Sequence, residues 1–306
     1  MKRMSKILSI LMVAVLLTSC KSSDYSKACK QMENGEYKQA LEIFNSLDDS
    51  YKDVDAKKKE CKKLIDGIAA FNDAANRVKV SNKELDKLIA KSEKLISGKD
   101  KVLDKTLKKT LTSKVAEAKE AKVKVPKASH DVEKLKKQTD KLKAVDNGKA
   151  LENLKNTVAE YEKSIKQYKL VCNPKDSYII SKIQGIPGIK DYAPVTEDND
   201  PNGKLGKKGG YTALVYFSHE GVDQSEFFDE DVIEKGTDAG GAIEVYANEK
   251  DANARNEYLA GFDGGMLSSG SHTVIGTCVI RTSDNLPASK QKELESAIIS
   301  ALTSVE

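Results

Sequence analysis

The sequence predicts an α+β protein, in which an N-terminal helical bundle or coiled-coil stalk precedes a small C-terminal domain with a mainly antiparallel or mixed sheet. Apolar residues recur at steps of three and four up to about residue 168, and they alternate after Cys172-Asn173-Pro174. The charge changes at the same place. Residues 171–306 carry 12 Lys and Arg against 22 Asp and Glu, whereas the residues before them carry 39 against 25.

The composition narrows the class of protein. The chain has 306 residues, of which 39% are apolar and 32% charged, with 6 Pro, no Trp and a mean hydropathy of −0.52. These values exclude a multi-span membrane protein, a collagen and a disulfide-dense mini-domain. The length leaves room for two domains.

The first 20 residues have the order of a secretory leader. Lys2, Arg3 and Lys6 precede an apolar run over residues 7–17. This run is shorter than the roughly 20 residues that a membrane-spanning helix needs, so it is typical of a signal peptide. A short anchor helix or an amphipathic leader of a cytosolic protein is the alternative.

The end of this leader, Leu17-Thr18-Ser19-Cys20, resembles the lipobox of bacterial lipoproteins. The resemblance implies removal of residues 1–19 and a diacylglyceryl group on the sulfur of Cys20. A thiolate is a strong nucleophile, which suits it to such attachment. The implied location is the extracytoplasmic face of the cell membrane, and the membrane is then a partner through the lipid on Cys20.

Residues 20–64 are expected to form a helical cap. Gly35-Glu36-Tyr37, Ala40 and Phe44 resemble the turn and second helix of one tetratricopeptide unit. Repeat proteins of this kind need about three units to bury a continuous core. A cap that packs on the next helices is therefore favoured over a peptide-binding array.

Residues 65–171 are expected to form a Lys-rich helical bundle or coiled coil. Helix breaks are predicted at Ser81, which has Glu84 at capping-box spacing, and at Gly98, Pro126 and Gly148. The clearest apolar seam has heptad spacing and comprises Leu151, Leu154, Val158, Tyr161, Ile165 and Tyr168.

The many lysines in these helices do not indicate nucleic-acid binding. They are not interleaved with aromatic residues and are accompanied by very few arginines. A solvated helix face explains them, and attraction to anionic lipid or an anionic wall polymer is the functional alternative.

Four cysteines would remain besides Cys20. Outside the cytoplasm an even number permits disulfides. Cys29 and Cys61 lie in neighbouring predicted helices and form the candidate pair, with buried free thiols as the alternative.

Residues 172–306 are expected to form the α+β domain. Ala254, Tyr258 and Phe262 recur at helical spacing within one of its predicted helices. The predicted elements are a helix at 177–184, strands at 188–195, 211–218 and 242–247, a helix at 251–262, a strand at 273–281 and a closing helix from Pro287.

This part also resembles an uncharacterised C-terminal domain of surface lipoproteins from Gram-positive bacteria. No activity is attached to that domain, so the resemblance implies location and architecture only. The segments that carry it are Thr196-Glu197-Asp198-Asn199-Asp200-Pro201-Asn202-Gly203-Lys204, Gly210-Tyr211-Thr212, Lys235-Gly236-Thr237-Asp238, Glu244-Val245-Tyr246-Ala247-Asn248 and Gly270-Ser271-His272-Thr273.

One segment has the opening spacing of a calcium loop. Asp198, Asp200 and Asn202 supply oxygen at alternate positions, and Gly203 permits a sharp turn. The twelfth position is Gly209, where a bidentate Glu would be expected. The alternative is a connector rich in Asx turns.

Motifs for catalysis are lacking. His219, His272 and Cys278 could assemble into a hydrolase site, but the sequence contains no nucleophile elbow and no His-Glu-x-x-His. Alternation places Cys278 with Val274 and Ile280, which favours a core position. We therefore expect no catalysis, no metal and no cofactor.

Three loops are candidates for a binding surface, because binding residues often lie on loops held by a rigid sheet. They are residues 198–203 and the Gly-rich segments 236–241 and 261–270.

Together these features predict a lipid-anchored cell-envelope protein with a non-catalytic binding or scaffolding module on a helical stalk. Its partner would be an unknown envelope protein or wall polymer, and not nucleic acid. The alternatives are an extracytoplasmic enzyme with an unfamiliar site, or a ligand- or calcium-binding lipoprotein.

Overall fold

The computed structural model describes residues 21–227, 231–265 and 270–305. The chain divides into two compact units. The first comprises Met1–Glu93 and Ser113–Lys155, and the second comprises Lys94–Thr112 and Asn156–Glu306. Cys20 and the leader lie outside the described residues, so signal-peptide cleavage and lipid attachment stay predictions.

Six helices precede the C-terminal domain in the described chain. Helix α1 occupies residues 21–33, and it is followed by α2 (Tyr37–Asn45), α3 (Val54–Ser97), α4 (Leu107–Ala121), α5 (Val132–Lys143) and α6 (Gly148–Leu170). No helix among the described residues combines the length and the apolar character that crossing a membrane requires.

Helices α1 and α2 form a tight hairpin. Gly35 turns the chain between them with a φ of +81°, a conformation that glycine adopts without strain. Ala28 and Ala40 are fully buried small residues, and Phe44 is buried beside them. The small residues permit close approach of the helices, and the aromatic ring fills the space between them.

Helix α3 runs for 44 residues without a break at Ser81, so the predicted helix start there is wrong. No Pro or Gly occurs between residues 68 and 97 to interrupt it. Leu85 and Ile89 continue the buried face formed by Phe71 and Val78, and this burial outweighs the local capping signal. Gly98 follows the end of α3, and Gly148 begins α6, as predicted.

Helix α6 buries the predicted seam except for its first residue, Leu151, which is half-buried. Leu154, Val158, Tyr161, Ile165 and Tyr168 are each at most 7% exposed. The alternating steps of four and three keep them on one face of the helix.

The C-terminal domain contains a five-stranded sheet whose neighbouring strands are all antiparallel, in the order β1-β2-β3-β5-β4. The predicted fold class is confirmed. Its elements are α7 (Asp176–Ile183), β1 (Ile189–Pro194), β2 (Tyr211–His219), a 3-10 helix (Gln224–Glu226), β3 (Gly240–Tyr246), α8 (Glu249–Ala260), β4 (His272–Ile275), β5 (Cys278–Thr282) and α9 (Ala288–Leu302).

The single strand predicted at 273–281 is wrong, because this segment forms the hairpin of β4 and β5. Ile275 pairs with Cys278 across a turn that contains Gly276. Gly276 has a φ of +61°, and its α-carbon lies close to the carbonyl of Val171, where a side chain would collide. Alternation alone does not reveal this turn.

The sheet packs on both faces. One face, with Val215, Ile243 and Ile280, packs with residues of α7 and α9. The opposite face, with Leu214, Ala242 and Val279, packs with Ala252 and Leu259 of α8. Cys278 is fully buried on the first face with Ile280, which confirms its predicted core position. The prediction that Val274 shares this face is wrong, because the turn at Gly276 separates the two residues and Val274 packs on the opposite face with its partner Val279.

Candidate functional site

A buried carboxylate lies at the centre of the α8 face of the sheet. Glu244 of β3 is 2% exposed and accepts hydrogen bonds from three side chains of the same domain, Arg255, Tyr246 and Arg281. Arg255 binds it through two nitrogens, Nε at 2.8 Å and Nη2 at 2.9 Å, and the Tyr246 hydroxyl donates at 2.7 Å. The Arg281 guanidinium adds an ion pair at 3.2 Å.

Strand geometry assembles this cluster. Glu244 and Tyr246 are two residues apart and share a face of β3. Arg281 of β5 pairs with Ala242, two residues from Glu244 on the same face. Burial raises the pKa of Glu244, but Arg255, Arg281 and the Tyr246 hydrogen bond outweigh this effect and hold it below its ordinary value.

A second carboxylate, Asp200, closes the loop before β2. It accepts hydrogen bonds from the amides of Asn202 at 3.1 Å and Leu205 at 2.7 Å, and from the Tyr211 hydroxyl. Partial burial raises the pKa of Asp200, but these hydrogen bonds prevail and lower it. Burial and the contact with Asp200 also raise the pKa of Tyr211.

These contacts show what the predicted calcium-loop residues Asp198, Asp200 and Asn202 bind within the domain. Both carboxylate oxygens of Asp200 accept internal hydrogen bonds, while Asp198 is exposed. The side-chain nitrogen of Asn202, Nδ2, lies 3.4 Å from the hydroxyl oxygens of Tyr211 and Tyr216. Within the described chain, no three or more His, Cys, Asp or Glu side chains group as metal ligands. The arrangement is that of an Asx-turn connector, and calcium binding stays a prediction.

A cleft of about 590 Å³ lies between this loop and helix α8. We call it the α8 cleft. Its lining is rich in tyrosine and basic residues, and comprises Asn202, Lys204, Lys208, Gly209, Gly210, Tyr211, Tyr246, Asp251, Ala254, Arg255 and Tyr258.

Lys204 and Lys208, on one side of the α8 cleft, belong to a turn that backbone hydrogen bonds close. The Gly206 amide donates to the Tyr211 carbonyl at 2.9 Å, and the Gly210 amide donates to the Lys207 carbonyl at 2.9 Å. Gly210 also passes so close to the Lys204 carbonyl that a larger residue would not fit. The backbone that carries Lys204 and Lys208 is therefore held in place.

The aromatic side of the α8 cleft is formed by Tyr258, which is 60% exposed. Its ring makes an edge-to-face contact with Phe262 at a centroid distance of 5.0 Å. The Arg255 guanidinium carbon lies 5.4 Å from the Tyr258 ring centroid. Both contacts limit the ring's motion while most of its surface stays accessible.

The stripe of Ala254, Tyr258 and Phe262, which recur at helical spacing in the sequence, does not form the buried face of α8. Ala252 and Leu259 face the sheet, with Arg255 between them bound to Glu244. The ion pair rotates the helix so that the stripe lies beside the packed face. The sequence contained a signal for this ion pair, namely a Glu among the apolar residues of a predicted strand and an Arg in the helix that follows.

His219 and His272 lie on different strands, β2 and β4, which β3 and β5 separate in the sheet. The His219 Nδ1 accepts from the Gly221 amide at 3.0 Å, and burial lowers its pKa. His272 contacts Asn256 at 2.8 Å and Asp263 at 3.2 Å, so it links α8 to β4. Among the described residues these histidines form no common site.

His219 borders another hollow, of about 540 Å³, between the end of β2 and α9. Leu286, Leu294 and Ala297 contribute its apolar lining, and Lys290 and Glu293 lie at its border. Lys290 and Glu293 form an ion pair with each other at 2.7 Å.

The remaining predicted residues have separate places. Cys29 and Cys61 are free thiols in one apolar cluster of the first unit, and burial raises the pKa of Cys61 to about 11. Their disulfide stays a prediction. Neither Gly-rich segment, 236–241 or 261–270, contributes to the α8 cleft, and residues 266–269 lie outside the described chain.

Comparison of the chain with protein-family models, with curated proteins and with solved structures finds no match.

Proposed function

We propose that this chain is a lipid-anchored protein of the bacterial cell envelope whose C-terminal domain binds a partner without catalysis. The basic, apolar and small residues that precede Cys20, in lipobox order, are the observation that carries the proposal. They supply both an export signal and a site for the lipid.

The α8 cleft supports a binding role. An acid–base catalyst needs a group that can gain and lose a proton near neutral pH. Glu244 and Asp200, the carboxylates that bind the lining residues Arg255 and Tyr211, are held ionised by arginine, tyrosine and amide donors. They position Arg255 and Tyr211, which is a structural role.

The lysine-rich helices support an envelope partner. Residues 20–170 carry 36 Lys and Arg against 25 Asp and Glu, and such an excess attracts polyanions. An anionic wall polymer or an acidic envelope protein would complement this positive charge. We propose a partner of this kind for the lysine-rich helices.

Membrane partition tests the anchor. We expect the wild-type chain to enter the detergent phase of a Triton X-114 extract, and the Cys20→Ala variant to stay in the aqueous phase. Cys172→Ala is the matched control, because Cys172 is an exposed cysteine whose loss should change nothing. Detergent-phase recovery of Cys20→Ala would contradict the anchor.

An enzyme assay tests the second part. Release of product from a wall glycan, peptide or phosphoester, abolished by His272→Ala or Asp200→Asn, would contradict a non-catalytic role. The proposal predicts that such substrates are recovered unchanged.

A further inference from the structure

The lining of the α8 cleft suggests a ligand class more specific than that of an unidentified partner. The cleft combines a largely exposed aromatic ring, Tyr258, with two exposed ammonium groups, Lys204 and Lys208. Within the described residues, Tyr258 is the one aromatic side chain among the exposed large hydrophobic residues. Most of the Tyr258 ring is therefore not used for packing within the domain.

The lysines are unusual for their surroundings. Residues 171–306 carry 12 basic against 22 acidic side chains, yet Lys204, Lys207 and Lys208 fall within five consecutive residues. The closed turn fixes their backbone, so less conformational entropy is lost when an anion binds. Arg255 adds no second anion site, because Glu244 takes two of its nitrogens.

We infer that the α8 cleft binds an anionic glycan, which stacks a sugar ring on Tyr258 and places a carboxylate or phosphate group at Lys204 and Lys208. This inference rests on the proposed binding function. The carbon-bound hydrogens of a sugar ring pack on an aromatic face. Asn202 and Asp251, at the border of the cleft, can bind hydroxyl groups.

Two other classes of partner fit less well. A lipid membrane presents a flat charged surface, whereas Tyr258 and the lysines face a concave space of about 590 Å³. An acidic peptide would use the lysines but would leave the exposed ring and the polar border without a matching surface. Both become outcomes of the test.

Isothermal titration of the full chain in detergent tests the inference. The probes are oligogalacturonate for the carboxylate, phosphorylated dextran for the phosphate, and plain dextran as the neutral control. We expect binding to one or both anionic glycans, weaker at high salt, and none to plain dextran. The stronger of the two identifies the anion.

Variants localise the site. Tyr258→Ala and the double variant Lys204→Ala/Lys208→Ala should each weaken binding by about tenfold or more. Tyr258→Phe keeps the ring and should bind within about threefold of wild type. Lys290→Ala/Lys292→Ala removes the same charge from α9, outside the cleft, and should bind as wild type does.

Several results would overturn the inference. They are no binding to either anionic glycan, equal loss in both lysine variants, equal binding of poly-glutamate, or binding to phosphatidylglycerol vesicles that Tyr258→Ala weakens as much as it weakens glycan binding. The vesicle comparison uses the variant because the lipid on Cys20 would enter vesicles by itself. In each case membrane partition through Cys20 would still support the proposed function. Cleavage of a bound glycan would instead contradict the non-catalytic function on which the inference rests.

Discussion

Glu244 is a buried carboxylate that accepts hydrogen bonds from two arginines and a tyrosine. Such a charge is stable in a protein interior only when its partners are present, because desolvation of an unpaired ion costs several kcal/mol. The cluster joins α8 to the sheet and sets which side of α8 faces the solvent. It thereby leaves Tyr258 exposed at the cleft.

Replacement of this carboxylate should show a characteristic pH dependence. Glu244→Gln should lower the free energy of unfolding at pH 7 by about 3 kcal/mol, because both guanidinium groups lose their counter-ion. The folded-state pKa of Glu244 lies below its unfolded value of about 4.3. The stability that the ionised group provides is present above that value and is lost as the pH falls through the folded pKa.

The measurement is urea unfolding at several pH values from 7 down to 3. The difference between wild type and Glu244→Gln should shrink as the pH falls below about 4.3. Glu293→Gln is the control, because Glu293 forms an exposed ion pair with Lys290 that should contribute at most about 1 kcal/mol. A constant difference for Glu244→Gln over this range would refute the role given to its charge.

Single residues also show where sequence reasoning stops. The core position of Cys278 beside Ile280 was predicted correctly, because alternation within one strand fixes which face a residue lies on. The same argument failed for Val274, because the turn at Gly276 interrupts the alternation. The full set of partners of Glu244 was not predictable, because Arg281 lies 37 residues away and meets Glu244 only when β3 and β5 pair.

The helices and strands show which structural features the local sequence pattern determines and which it does not. The seam of α6 was predicted correctly, since heptad spacing is a property of the helix itself. The break at Ser81 and the single strand at 273–281 were wrong. In the first case burial of Leu85 and Ile89 outweighs a capping signal, and in the second a turn at Gly276 depends on the nearby Val171 backbone.

A substitution at Ser81 distinguishes the two accounts of α3. As an interior helix residue, Ser81 should be replaced by Ala with no loss of stability or a gain of up to about 0.5 kcal/mol. As a helix N-cap, its loss would cost about 1 kcal/mol. Thermal or urea unfolding of Ser81→Ala measures the difference.

Asp131 provides the control, because it caps α5 by accepting a hydrogen bond from the Lys134 amide at 2.8 Å. Asp131→Ala should lose about 1 kcal/mol of stability. An equal loss in Ser81→Ala and Asp131→Ala would show that α3 begins anew at Ser81.

For the molecule as a whole, the fold class followed from composition and periodicity, because the change from helical spacing to alternation marks two kinds of packing. The candidate site did not follow. The α8 cleft draws on residues from a loop, two strands and a helix, and its shape depends on their relative positions in space. The three loops favoured by the sequence supply Asn202 to it, while the other lining residues lie outside them.

The central proposal is that the protein is exported and lipidated at Cys20, because the partners proposed for its C-terminal domain belong to the cell envelope. Intact mass spectrometry of the chain purified from bacterial membranes tests this claim most directly. We predict a polypeptide that begins at Cys20, lacks residues 1–19 and carries the added mass of a diacylglyceryl group. A chain that retains Met1 and the rest of its leader, with an unmodified Cys20, would contradict the account.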